Sequence, residues 1–491
     1  MNLGSAIASV APESIALIDL GGAAPRSFSY GDIRRLSDAC ARGLLRRGLR
    51  RGDRVAILAS NRAEYLVAFL GTMRAGLVSV PVNYKLPADT VNYIIRDAGA
   101  RLVLCDAARV ALLREHVPRI VIDDEFASLL DGGDFTTVEA EPAEPAMFLY
   151  TSGSTGRPKG VVLSHRSHLW VLEIRSRPAP PPGQRVLVAA PLYHMNALSM
   201  SQVTLNNGGT IVLLPSFTAR SYIDAAARYQ VHALTAVPTM IAMMLREHDA
   251  MATADFSSVQ SLRVGSAPLS GQLIAQMRRA FPNARIVHGF GTTEAGPVVF
   301  APHPDGRERA PLTLGVAHPE VDLRLVRDGV EVMDEGVLEM RCPALMNGYH
   351  NLPDVTRRAM TPDGYYITGD VFSRDSDGLF YFIGRADDMF VCGGENIYPS
   401  EVETMLEKHP AVHQACVVPI PDELKAHKPV AFVVPRAGSK VSEQDIKQFA
   451  LTHAPAYQHP RRVWFVDELP LASTHKIDRK RLAQQAMTEA G

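Results

Sequence analysis

The chain has 491 residues, 46% hydrophobic, 21% charged and 7% aromatic, with 51 Lys and Arg against 52 Asp and Glu for a formal charge of −1. That length predicts two or three domains, each able to bury a core, and the composition excludes disordered, collagen-like and coiled-coil chains. The neutral balance argues against a protein built mainly to coat nucleic acid.

The five cysteines, Cys40, Cys105, Cys342, Cys392 and Cys416, are odd in number, widely spaced and never in a Cys-x-x-Cys pair. They read as reduced, buried thiols rather than a disulfide framework or a zinc knuckle. No run of eighteen apolar residues occurs, so no membrane span is expected. The first twelve residues carry no Lys or Arg, so no secretory leader is expected and the anticipated location is cytoplasmic.

In chain order, the first clear pattern is helix, turn, strand across residues 33–58. Ile33, Leu36, Leu44 and Leu45 give an apolar stripe, Gly52 and Asp53 a turn, and residues 54–58 a strand. Eight arginines fall between Arg34 and Arg54, both included. No aromatic residues interleave with them, so they read as the wet side of an amphipathic helix rather than a nucleic-acid face. From 145 to about 300, apolar β-rich runs at 148–151, 186–192, 210–214, 233–237, 262–264 and 286–288 alternate with turns and helical patterns. Residues 270–280 form one such helix, with Leu273, Ile274 and Met277 on one face. The alternation predicts α/β layers with buried, largely parallel strands, which place ligands at the strands' carboxyl ends. The polar loops 151–160, 193–197, 265–268 and 289–296 fall there. Prolines 178, 180, 181 and 182 mark an exposed loop. Beyond 310, short alternating segments at 321–325 and 336–340 predict small antiparallel sheets.

The strongest local signal is Tyr150-Thr-Ser-Gly-Ser-Thr-Gly-Arg-Pro-Lys-Gly160. Gly153, Gly156 and Gly160 permit close backbone approach, Thr151, Ser152, Ser154 and Thr155 supply hydroxyls, and Lys159 supplies a cation, together a cradle for phosphate oxygens. It is not a Walker A loop, because Lys159 stands three after Gly156 and precedes Gly160.

With the segments that follow, this loop resembles the adenylate-forming superfamily of acyl-CoA synthetases, peptide-synthetase adenylation domains and firefly luciferase. The likeness runs from about residue 28 to 485, with the motifs in the family's order. It implies a large N-terminal domain of layered α/β subdomains with a small β-barrel-like part, over 1–386, and a small mobile α+β C-terminal domain, over 387–491. In Gly289-Phe-Gly-Thr-Thr-Glu-Ala-Gly296 the family's usual Tyr is Phe290. By resemblance Gly289, Phe290, Gly291 and Thr292 approach the nucleotide, Thr293 touches the α-phosphate and Glu294 holds Mg²⁺, a hard cation suited to carboxylate and phosphate oxygens. In Tyr366-Ile-Thr-Gly-Asp370 and Ile383-Gly-Arg-Ala-Asp-Asp388, Asp370 resembles the acceptor of the ribose hydroxyls and Arg385 its neighbour on sugar and phosphate. Asp387 stands where the family's hinge pivots the small domain between two half reactions. Gly393 and Gly394 would line the pantetheine tunnel in the second state. Lys476, in Leu469-Pro-Leu-Ala-Ser-Thr-His-Lys-Ile-Asp-Arg479, resembles the lysine that bridges substrate carboxylate and α-phosphate. Here the family's Gly before it is His475, and Ala472 replaces a Thr or Asn.

For the acid, Pro191-Leu-Tyr-His-Met-Asn-Ala197 resembles the gate segment, with His194 near the carboxylate and Ala197 in place of a Gly. Val264-Gly-Ser-Ala-Pro268 resembles the loop against adenine and the acyl site, placing Gly265, Ser266 and Ala267 there. Thr239 and Met200 are further wall candidates. No carboxylate lies in 191–200, 233–240 or 263–268, so an amino acid is disfavoured. Asn196 and Ser266 offer hydrogen bonds to a small hydroxylated or aromatic acid.

The implied activity is an AMP-forming acyl-CoA ligase using ATP, Mg²⁺ and CoA, with no nucleic-acid partner, no membrane span and a homodimer left open. Its alternatives are an adenylating enzyme that loads an acyl carrier protein and a non-catalytic nucleotide-binding relative. Residues 461–481 hold six Lys or Arg against three Asp or Glu, an expected basic edge toward the phosphates.

Overall fold

The protein is described by a computed structural model covering residues 1–491 except 8, 115, 152–156, 179, 180, 182, 268, 307–311, 393, 394, 423, 473–475 and 491. Two seven-stranded sheets dominate the larger part. One runs in the order Arg285–Gly289, Ser261–Gly265, Ala233–Ala236, Arg185–Val188, Thr210–Leu213, Ile15–Asp19, Arg26–Ser29, parallel except for its last pair. The other runs Gly348–Tyr349, Lys159–Ser164, Pro145–Thr151, Val78–Pro81, Arg54–Leu58, Ala100–Cys105, Arg119–Val121. Strands such as Val78–Pro81, Thr210–Leu213 and Ala233–Ala236 are buried at every position, as expected of parallel strands covered by helices on both faces.

Helix boundaries follow from local chemistry. Ser29 caps Tyr30–Arg46 in a reciprocal capping box with Asp32, an arrangement worth about 1 kcal/mol. The arginines of this region point outward and several pair with acids, Arg35 with Asp32, Arg42 and Arg46 with Asp131, and Arg51 with Glu144. Ser270 caps Gly271–Ala280, whose Leu273, Ile274 and Met277 are buried as the sequence pattern demands.

Two expectations shift. The strand expected at 186–192 ends at Val188, because Pro191 cannot donate to a ladder. Thr151 and Lys159, expected together in one loop, stand at the ends of two antiparallel strands. Thr151 pairs with Lys159, so that lysine starts a strand. After 310 the expected antiparallel texture appears as an open sheet of Val330–Val332, Asp322–Arg327, Glu335–Arg341, Tyr366–Arg374 and Phe380–Arg385, where a barrel-like part was anticipated.

The smaller part is a five-stranded sheet of Glu395–Ile397, Phe390–Cys392, Ala426–Pro435 and Val412–Asp422, with Val463–Phe465 parallel to Ala426–Pro435. Helices Pro399–Leu406, Glu443–His453 and Arg479–Ala490 accompany it. It has its own apolar clusters, around Phe390, Ile397 and Val402 on one face and Phe432, Leu469 and Leu482 on the other. The five cysteines are buried and free, and no helix among the described residues is long and apolar enough to cross a membrane.

Candidate functional site

The site is built where the carboxyl ends of strands from the large sheets meet the open sheet and the small part. Lys159 lies with its ammonium 4.6 Å from the centre of the Tyr349 ring. Tyr349 is there because Gly348–Tyr349 pairs with Val161 and Val162, alongside that lysine's strand. Its hydroxyl donates to Oε1 of buried Glu294 at 2.9 Å. One tyrosine thus links Lys159 to Glu294. Burial, reinforced by the Glu294 charge, raises the pKa of Tyr349, which keeps the hydroxyl a donor.

The loop after Arg285–Gly289 is fixed by close backbone approach. A Cβ on Gly291 would lie 2.7 Å from Pro297 Cα and 2.8 Å from the Gly296 oxygen, so glycine is required there. Thr292 N donates to the Gly296 carbonyl at 3.2 Å, and the Thr292 hydroxyl accepts from Ala295 N at 3.0 Å, leaving half-buried Thr293 at the turn. Phe290 packs its ring against Phe372 and Phe300, with centroids 5.0 and 6.0 Å away, so the missing hydroxyl is offset by an aromatic cluster.

Asp370 and Arg385 face each other across paired strands, Arg385 Nη1 donating to Asp370 Oδ1 at 3.1 Å. The same guanidinium donates from Nε to Asp387 Oδ1 at 2.9 Å. Burial raises the Asp370 carboxyl to about 6, against the pull of Arg385 and Lys476. Asp387 is also penalised by burial, but Arg385 outweighs that and holds its carboxyl below the usual range, with Lys159 adding to the effect.

Lys476 arrives from the small part. Ala472 N donates to the Lys476 carbonyl at 2.7 Å and Leu471 bridges to Ile477. The residue keeps exposed surface. Burial lowers its pKa, the Asp370 charge opposes that, and the Arg385 charge adds to it.

Of the residues expected around the acid, His194 is half-buried at the N-cap of Met195–Asn206, its ring 4.5 Å from Tyr193. Asn196 Oδ1 accepts from the Thr235 hydroxyl at 3.2 Å, and Ala197 is fully buried. Gly265 pairs with Gly289, and a Cβ there would lie 2.4 Å from the Gly289 oxygen. Ser266 is exposed with φ 68°, a left-handed conformation uncommon for serine, and Ala267 is half-buried beside it. Thr239 is half-buried at the start of Pro238–Arg246. Ser152, Gly153, Ser154, Thr155, Gly156, Pro268, Gly393, Gly394 and His475 lie outside the described residues.

The expected basic edge is partly corrected. Arg479 turns inward, where both terminal nitrogens donate to Glu403 and one also to the Val417 carbonyl, so it holds the small part together. Sequence reasoning also passed over Tyr349. Nothing around it marks it, because its importance comes from pairing with a strand nearly two hundred residues earlier.

Lys159 of the larger part and Lys476 of the smaller thus stand in a region that also holds the buried carboxylates Glu294 and Asp370, and the charges of Lys159 and Lys476 act on Asp387 and Asp370 respectively. The AMP-binding enzyme family matches residues 5–350, and the AMP-binding enzyme C-terminal domain matches residues 401–476. The chain belongs to this family. It is 32% identical to a feruloyl-CoA synthase of Amycolatopsis sp over 92% of each chain. It is 31% identical to the fatty acid–[acyl-carrier-protein] ligase ScoC of Streptomyces coeruleorubidus over 93% of this chain and 91% of that one. MatB from Rhodopseudomonas palustris, 27% identical, matches along the full length of both chains, with a TM-score of 0.90 in its ATP-bound crystal structure and 0.80 in its apo form.

Proposed function

We propose that this protein is an AMP-forming acyl-CoA ligase that activates a small aromatic or hydroxylated carboxylic acid. The observation that carries the reading is the pairing of buried Asp370 with Arg385 at 3.1 Å, with Lys476 of the small part near enough for its charge to act on Asp370. In the first half reaction the acid's carboxylate attacks the α-phosphate of ATP, forming an acyl adenylate and expelling pyrophosphate. Lys159 and the Thr151–Gly156 loop hold the phosphates, and Asp370 accepts from the ribose hydroxyls. Thr293 and Lys476 stabilise the charge that grows on the α-phosphate. Two anions must approach each other in this step, and a cation between them lowers that cost.

Glu294 fits a magnesium site. Its carboxylate is buried with one oxygen engaged by Tyr349, and the described residues contain no group of three or more His, Cys, Asp or Glu that would form an all-protein cage. Bound there, Mg²⁺ would take its other ligands from phosphate and water and neutralise developing charge.

In the second half reaction residues 387–491 turn about Asp387, withdrawing Lys476 and bringing the Gly393–Gly394 loop to the site. His194 moves aside and the CoA thiol displaces AMP from the acyl adenylate. The activity named for the Amycolatopsis relative supports CoA as acceptor and an aromatic acid as substrate. The carrier-protein ligase among the relatives keeps a second acceptor in view, and thioester on a phosphopantetheinyl carrier but not on free CoA would favour it.

The test uses the two halves separately. Incubation with Mg·ATP and a panel of acids should release pyrophosphate, and added CoA should yield acyl-CoA by mass. Lys476→Ala should lower adenylation by at least about a hundredfold while sparing thioester formation from supplied acyl adenylate. Equal loss in both halves would remove Lys476 from its assigned role.

A further inference from the structure

Residues 189–194 lead from the strand Arg185–Val188 of one large sheet into His194, and the other large sheet grips them. Buried Asn61, just beyond the strand Arg54–Leu58, donates from Nδ2 to the carbonyls of Ala190 at 3.0 Å and Leu214 at 3.1 Å. Its Oδ1 accepts from Leu192 N at 2.8 Å. His194 N donates to the Pro191 carbonyl at 3.0 Å, and the His194 carbonyl accepts from Leu198 N at 3.1 Å in the helix that it caps. The backbone is held on both sides of His194, so moving its ring aside is first a side-chain rotation.

A ladder of rings bears on that rotation. The His194 ring meets Tyr193 with centroids 4.5 Å apart at 63°, and Tyr193 meets Tyr84 edge to face at 5.2 Å and 89°. Tyr84 follows the strand Val78–Pro81, and Arg109 lies over its ring with Cζ 4.3 Å from the centre. Arg109 is itself fixed. Its Nη1 donates at 3.0 Å to Asp106 Oδ2, which also accepts from Ser60 N at 3.0 Å and Ser60 Oγ at 3.1 Å. Ser60, Tyr84 and Asp106 thus come from the carboxyl ends of three neighbouring strands. The Tyr193 hydroxyl is buried and has no hydrogen-bond partner among the described residues, so packing against its neighbours, not a hydrogen bond, sets this ring.

We propose that Tyr84 and Arg109 are positioning residues that act through Tyr193 to hold His194 closed over the acyl adenylate until CoA arrives, which keeps water from it. This rests on the ligase reading and on the gate role given there to His194, and it names what holds the gate. With the brace loosened, water reaches the adenylate. Its oxygen bonds to the acyl carbon, the bond from that carbon to the phosphate oxygen breaks, AMP leaves, and the water's protons pass to solvent. The acid is returned unchanged and ATP is consumed without thioester.

The experiment uses the full-length enzyme with Mg·ATP and an acid that supports pyrophosphate release, without CoA. The wild type should release a burst of about one pyrophosphate per enzyme and then turn over slowly. Tyr84→Leu should keep the burst and raise the slow rate by about three- to tenfold, the scale of one aromatic pair. Tyr84→Phe, which keeps the ring, should stay at the wild-type rate. Arg109→Gln, at the outer end of the ladder, should raise the slow rate in the same direction and carries the test if Tyr84→Leu does not fold. His194→Ala should itself raise the slow rate, and adding Tyr84→Leu to it should change nothing further, as for residues acting through one another. A slow rate unmoved by Tyr84→Leu and Arg109→Gln, or a rise undiminished in the His194→Ala background, would overturn the brace and leave the ligase reading standing. His194→Ala without a rise would remove the gate role and the brace with it. No pyrophosphate from any acid would overturn the ligase reading as well.

Discussion

Asp370→Asn separates the nucleotide role of this residue from any structural role. Burial raises the Asp370 carboxyl from 3.8 to about 6 even with Arg385 3.1 Å away, so ionising it in the folded protein is unfavourable. A folded value above the unfolded one means that the native state binds the extra proton between the two. The stabilisation this gives is complete below 3.8 and lost as pH rises through about 6. At pH 7 the buried charge therefore costs up to about 3 kcal/mol. Asn resembles the neutral carboxyl, and Arg385 retains Asp387 at 2.9 Å. The variant should thus unfold at higher urea at pH 7, by up to about 3 kcal/mol, and match the wild type near pH 3. ATP binding should move the other way. Losing one charge-assisted acceptor for a ribose hydroxyl costs about 1.5–3 kcal/mol, about a 10- to 150-fold rise in KM for ATP. In the wild type that KM should climb as pH falls through about 6, and in the variant it should stay level. A variant that is less stable at pH 7 with an unchanged KM would show that the charge serves the fold and not the nucleotide.

Two further outcomes bear on the same cleft. Glu294→Gln keeps an acceptor for the Tyr349 hydroxyl but removes the charge, so the magnesium concentration for half-maximal pyrophosphate release should rise by about tenfold or more; an unchanged magnesium curve would place the ion elsewhere. Glu407, in the small part, is pushed up to about 8 by burial, against donation from Ala415 N and the Ser270 hydroxyl of the large part. Its stabilising contribution is complete below the ordinary value of 4.5 and lost as pH rises through about 8. The urea midpoint should fall between pH 5.5 and 8.5, and Glu407→Gln should flatten that slope; an equal slope in the variant would exclude Glu407 as its source.

What the sequence revealed and what it hid divide along a physical line. Parallel strands buried on both faces must be continuous apolar runs, so 210–213 and 233–236 were visible as strands within a residue of their ends. Glycines demanded by close approach, such as Gly291, were visible within one motif. Proline punctuation set strand ends, and overlooking it extended 186–188 too far. The partners of charges follow a different rule, because a window of sequence assigns every cation to solvent until the fold supplies its neighbours. Arg479 looked like part of a phosphate-facing edge, yet it is committed to Glu403 in its own sheet-and-helix core. Tyr349 looked like nothing, yet strand pairing sets it between Lys159 and Glu294.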